Sequence, residues 1–147
     1  MNDLRDLYQE VILEHNKHPR HYGKLEEANR AAKGHNPLCG DRFTVYLHMD
    51  DGVVKGIAFE GEGCAISKAS ASLMAEAVQG KTEEEVKKLF LAFHGLVAEE
   101  GEAEEQVLGK LAVFAGVRDY PSRVKCATLS WHTLEAALKG DAKASTE

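Results

Sequence analysis

From Arg42 to Phe59 the chain advances in steps of two. Phe43, Val45, Leu47 and Met49 alternate with Thr44, Tyr46 and His48. A period of two sends the two sets to opposite faces of a strand. Asp50-Asp51-Gly52 interrupts the pattern with turn residues. Val53, Lys55, Ile57 and Phe59 then alternate again. The spacing predicts an antiparallel hairpin with one buried face. A lone hairpin is marginal in water, so the rest of the chain must cover that face.

The cover reads as helices. Leu4, Leu7, Tyr8, Val11 and Ile12 recur at helical spacing, Asn2 or Asp3 can cap their start, and His18-Pro19 stops them. Polar, irregular sequence follows up to Asn36-Pro37. Cys64 to Gln79 is rich in Ala, Ser, Leu and Met and predicts a helix ended by Gly80. Thr82 and Glu85 form a capping box for the next helix, with Val86, Leu89, Phe90 and Phe93 as its core stripe. The acidic stretch Glu99 to Glu105 leads into a helix carrying Val107, Leu111 and Phe114. The last helix is expected from about Cys126, with Trp131, Leu134 and Leu138 inward, to Gly140. Residues 141–147 are expected to fray. The expectation is a single α+β domain over 1–147: a small antiparallel sheet packed on one face by helices.

Composition narrows the function classes. A chain of 147 residues can bury a proper core without staples. A net charge of −6 lacks the electrostatic footprint of a nucleic-acid binder. No stretch is long and apolar enough to span a bilayer, and the N-terminus does not read as a signal peptide. The expected setting is a reducing cytoplasm, where free thiols persist. Three cysteines, an odd count, cannot be a closed disulfide framework.

There is no C-x-x-C pair, so local context must speak for those cysteines. Cys39 lies in a turn entering the first hairpin strand, Cys64 opens a helix after Gly-Glu-Gly, and Cys126 lies near a helix start after Pro121. Each sits at an element's end, where side chains can converge. Two sit where backbone N–H groups would favour a thiolate. Asp41, two residues from Cys39, would share its side of a strand. One carboxylate with three thiolates would complete four ligands for a tetrahedral zinc ion. Equally, the cysteines could be buried structural thiols, and Asp41 could bond its own turn. Of the histidines, only His35 lies close enough in sequence to Cys39 to approach such a site.

Three segments then carry a resemblance. They are Asn36-Pro37-Leu38-Cys39-Gly40-Asp41, Gly61-Glu62-Gly63-Cys64-Ala65-Ile66-Ser67, and Arg123-Val124-Lys125-Cys126 with Ala127 to Trp131. They resemble the cysteine motifs of the IscU/SufU/NifU-N-terminal family of iron–sulfur cluster assembly proteins. Ile12 to Gly23, which includes His15 and Pro19, is similar to that family's N-terminal signature. The resemblance covers about residues 4 to 140. The extra helix before Pro121 resembles the insertion of the SufU branch.

The resemblance implies a compact α+β domain with its cysteines at one tip. It implies Cys39, Asp41, Cys64 and Cys126 as metal ligands, with zinc as the metal. It implies sulfur received from a pyridoxal-phosphate cysteine desulfurase, with Cys39 as the persulfide acceptor. Recipients would be assembly proteins or apo iron–sulfur proteins. A second role in the family is a scaffold that assembles a transient [2Fe–2S] cluster on Cys39, Cys64 and Cys126. Either is a sulfur carrier or scaffold rather than a free-standing enzyme. Two departures set the chain apart from the IscU branch: Lys125 replaces a histidine before the third cysteine, and Tyr120 to Lys125 replaces a chaperone-read Leu-Pro-Pro-Val-Lys segment. From the residues alone, a structural zinc module for protein contacts is the rival from another class. A thiol redox protein is disfavoured because Cys64-Ala65-Ile66-Ser67 lacks a second cysteine.

Overall fold

The computed structural model describes residues 3–37, 40–98, 108–140 and 143–145. Helix α1 (Asp3–Lys17) leads to strands β1 (Arg30–Asn36), β2 (Asp41–Asp50) and β3 (Val53–Glu62). Helices α2 (Ala65–Val78) and α3 (Glu83–Ala98) follow, then a 3₁₀ helix (Gly109–Asp119), α4 (Pro121–Lys139) and β4 (Lys143–Ser145). The strand order is β3-β2-β1-β4, with β1, β2 and β3 antiparallel and β4 parallel to β1. Residues 143–145 therefore pair where fraying was expected.

The predicted hairpin is β2–β3. Asp51 and Gly52 both have positive φ (55° and 75°), the conformation of a type I′ turn that matches strand twist. One parity was misjudged. His48 pairs with Gly56 while Met49 pairs with Val54, so Lys55 is an extra residue and the register shifts. That bulge buries Val54 with Ile57 and Phe59 and leaves Lys55 exposed.

Strand β1 falls in the stretch expected to be irregular. Its buried face is Ala32, Gly34 and Asn36, a row without large apolar side chains. Helix α4 lies directly on that row. A Cβ on Gly34 would sit 1.9 Å from Thr133 Oγ1 and 3.2 Å from Leu129 Cδ1. Glycine is what lets the helix approach so closely.

Helices α2 and α4 cover the sheet, joined where Ser70 Oγ donates to Ala127 O at 2.6 Å. Helix α4 starts at Pro121, five residues before Cys126, because proline suits the first helical position. It ends at Gly140 in the left-handed region. The capping box of α3 forms as expected: Thr82 N–H donates to Glu85 Oε1 and Glu85 N–H to Thr82 Oγ1. Phe93 stacks on Trp131 at 4.8 Å and ties α3 to α4.

The helix expected around Leu111 and Phe114 is a 3₁₀ helix. Leu108, Leu111, Phe114 and Val117 are buried at a spacing of three, with Ala112 and Val113 buried beside them. In a 3₁₀ helix residues i and i+3 eclipse, so that row forms a single stripe. Glu99 to Glu105 and Val107 lie outside the described residues, as do the side chains of Leu4, Leu7 and Tyr8 and the capping position Asn2. No described helix is long and apolar enough to cross a membrane.

Candidate metal centre

Three element ends meet at one tip of the sheet. Asp41 is the first residue of β2 and is 1 % exposed. A carboxylate so buried needs donors or a cation. Its Oδ1 accepts the Cys64 backbone N–H at 3.1 Å, and its Oδ2 accepts from Asn36 Nδ2 at 3.3 Å. It therefore bonds partners on β1 and at the start of α2 rather than only its own turn. Gly63 makes room, since a Cβ there would lie 2.9 Å from Asp41 Oδ1 and 2.3 Å from Ser67 Oγ.

Cys64 is the N-cap of α2. Its sulfur accepts the Ser67 N–H at 3.5 Å, while Ser67 Oγ donates to Cys64 O at 3.0 Å. That N–H is one of the free donors at the start of α2, the position where the sequence placed Cys64. Cys126 differs. It is fully buried in the second turn of α4, past the free N–H groups. Its sulfur is served by side chains instead: Asn36 Nδ2 lies 3.7 Å away, and the Arg123 guanidinium hydrogen-bonds to it. Bonding to Cys126, with the charge of Cys64 close by, raises the Arg123 pKa.

Ligand atoms of Asp41, Cys64 and Cys126 all lie within 4.8 Å of one another. A tetrahedral zinc with Zn–S of about 2.3 Å separates its ligands by roughly 3.8 Å. Modest side-chain rotation closes the difference, so the donor set fits zinc. Cys39 lies outside the described residues. The described residues nearest to it in sequence, Pro37 and Gly40, lie between β1 and β2, where Gly40 N–H donates to Asn36 O at 2.8 Å.

Two functional residues escaped the sequence reading. Asn36 reads as a turn residue, yet its buried amide touches both Asp41 and Cys126. Arg123 reads as part of a polar segment, yet it reaches the sulfurs from one turn before Cys126. Lys125, which stands where the IscU branch has a histidine, is exposed and has no described bond to them. His35 faces the other side of β1. His15 is buried away from the tip, with Nδ1 2.7 Å from Ser72 Oγ.

Residues 7–127 match the NifU-like N terminal domain. The chain belongs to that family. It is 38% identical over 144 residues to "Iron-sulfur cluster assembly scaffold protein IscU" of Streptococcus pyogenes, covering 98% of this chain and 90% of that protein. It is 40% identical over 141 residues to "Zinc-dependent sulfurtransferase SufU" of Bacillus subtilis, covering 96% and 93%. Among solved structures, the N-terminal part of a nitrogen-fixing NifU-like protein from Brucella abortus superimposes with a TM-score of 0.85 at 34% identity, covering 93% and 95%. The α+β architecture expected from the sequence is thus the architecture of this family.

Proposed function

We propose that this chain is an iron–sulfur cluster assembly protein that accepts persulfide sulfur from a cysteine desulfurase in the cytoplasm. The observation that carries the reading is the convergence of Asp41, Cys64 and Cys126 within 4.8 Å at an element-end tip. The sulfurtransferase name of the Bacillus subtilis relative supports it. Cys39, Asp41, Cys64 and Cys126 would hold zinc, which when bound keeps thiols deprotonated and apart from oxidation.

The protein's own residues do the rest. The Cys39 thiolate attacks the outer sulfur of the donor's persulfide. A new S–S bond forms on Cys39, the donor's S–S bond breaks, and the donor cysteine leaves as a thiolate. Arg123, already bonded to Cys126, keeps a cation beside the Cys64 and Cys126 sulfurs. Asn36 holds Asp41 and Cys126 in place. Asp41 is the sole oxygen donor of the set, which suits it to be the ligand that loosens when a partner docks.

Mass spectrometry after incubation with a desulfurase and cysteine tests the assignment. Wild type gains one sulfur on Cys39, and Cys39→Ser gains none. A Cys39→Ser protein that accepts sulfur at the normal rate sinks it.

The second reading, a scaffold for a [2Fe–2S] cluster, is favoured by the name of the Streptococcus relative. A stable chromophore on anaerobic reconstitution with iron and sulfide would support it. A structural zinc module would instead unfold without zinc and never carry persulfide.

A further inference from the structure

Strand β3 is an edge of the sheet, and it leads straight into Cys64. An edge strand leaves a row of backbone N–H and C=O groups without a neighbouring strand. At Phe59 that row is met by backbone: Phe59 N–H donates to His21 O at 3.0 Å, and Gly23 N–H donates to Phe59 O at 2.8 Å. Gly61, two residues on, turns its groups to the same edge. There a side chain takes over. The Tyr22 hydroxyl donates to Gly61 O at 2.9 Å and accepts from Gly61 N–H at 3.3 Å.

Tyr22 is 47 % exposed, so burial of its ring is not what holds it at this place. The ring stands edge-to-face on Phe59 at 5.3 Å, and Lys68 Nζ lies 5.3 Å from its centroid. Lys68 follows Cys64 in the first turns of α2, and Gly61 precedes Cys64 at the end of β3. Tyr22 therefore grips the chain on both sides of that ligand.

Gly61 is held from its other side as well. Its φ is 142°, and a Cβ there would lie 2.0 Å from Arg42 O and 2.8 Å from Phe43 Cα. It is thus pressed between the Tyr22 hydroxyl and the stretch of β2 that follows Asp41. From Gly61 only Glu62 and Gly63 lead to Cys64, whose N–H bonds Asp41 Oδ1. A link containing glycine places a ligand only as well as its starting point is held.

We infer that Tyr22 is a positioning residue of the metal centre, holding Cys64 against Asp41 through its grip on Gly61. The inference rests on the zinc-site reading of Asp41, Cys64 and Cys126 and adds a residue outside the ligand set. Outer partners that orient metal ligands commonly act on the ligand side chain. This one acts on the backbone that carries the ligand.

The test uses the full zinc-loaded chain and compares wild type, Tyr22→Phe, Tyr22→Leu and Tyr46→Phe. Tyr22→Phe removes the hydroxyl and keeps the ring on Phe59 and beneath Lys68. Tyr46→Phe is the control, since the Tyr46 hydroxyl bonds the Glu60 carboxylate instead. Zinc loss to an excess of chromophoric chelator should be about tenfold faster in Tyr22→Phe than in wild type. It should be faster still in Tyr22→Leu and unchanged in Tyr46→Phe. Amide hydrogen exchange, read by NMR on the zinc-loaded protein, should speed up at Cys64 and not in the β2 core.

A Tyr22→Phe protein with wild-type zinc loss and wild-type exchange at Cys64 overturns the inference and leaves the zinc-site reading standing. An equal effect in Tyr46→Phe, or a rise in exchange spread evenly through β2, marks general destabilisation and overturns it too. A wild-type chain that binds no zinc overturns the zinc-site reading and this inference with it.

Discussion

Gly34 and Asn36 lie two residues apart on the same buried face of β1, and they do opposite things. At Gly34 the helix α4 presses against bare backbone, and any side chain would collide with Thr133 and Leu129. At Asn36 the same helix presents Cys126, and a full amide is needed to reach it and Asp41. One position is defined by absent volume and the other by hydrogen-bond donors. The strand passes from packed seam to metal tip within one step of its period. A packing error at Gly34 should therefore damage stability, while a polar error at Asn36 should damage the site.

The largest effect is expected at the seam. Gly34→Ala should cost about 3 kcal/mol by overpacking, read from urea denaturation. Adding Thr133→Ala should recover most of that loss, since Thr133 supplies the nearest atom. A Gly34→Ala protein as stable as wild type would break the contrast.

At the tip, Asn36→Ala should weaken zinc binding about 10–100-fold in competition with a chromophoric chelator. Stability of the metal-free protein should change much less than in Gly34→Ala. Equal losses in both assays would mean that Asn36 belongs to the seam after all.

A smaller effect, far from both positions, calibrates the scale. Thr82→Ala removes half of the capping box and should cost about 1 kcal/mol without touching zinc affinity.

The smallest effect concerns pH. Burial, aided by Arg20, lowers the pKa of His15, and burial with nearby His94 lowers that of His132. The unfolded chain then takes up these protons first, starting near the ordinary value of 6.5. Their stabilising contribution is complete above that pH and is lost as pH falls toward the folded pKa values. His15→Gln should flatten the fall in stability below pH 6.5, and an unchanged slope would remove His15 from the account.

The sequence carried some elements and hid others for physical reasons. The β2–β3 hairpin was legible because large apolar residues alternate there, and the α3 cap because two side chains spell it out. Strand β1 was not, because Ala32, Gly34 and Asn36 bury a face without apolar bulk. The 3₁₀ helix had a signal in its period of three, Leu108 to Val117, which α-helical spacing drawn through Val107 obscured. Asp41, Cys64 and Cys126 could be named from motif context. Their two donors could not, since Asn36 and Arg123 look like ordinary turn and surface residues until the chain folds. The Cys126 environment was misjudged for the same reason: α4 begins at Pro121, which moves the free N–H groups away from its sulfur.

By itself the sequence determined which residue types could bind metal and which stretches had to bury a face. Both are local properties of side-chain chemistry and period. Only the tertiary structure decided that β1 exists and that Asn36 and Arg123 serve the sulfurs. Those facts depend on strand register and helix docking, which bring together residues far apart in the chain.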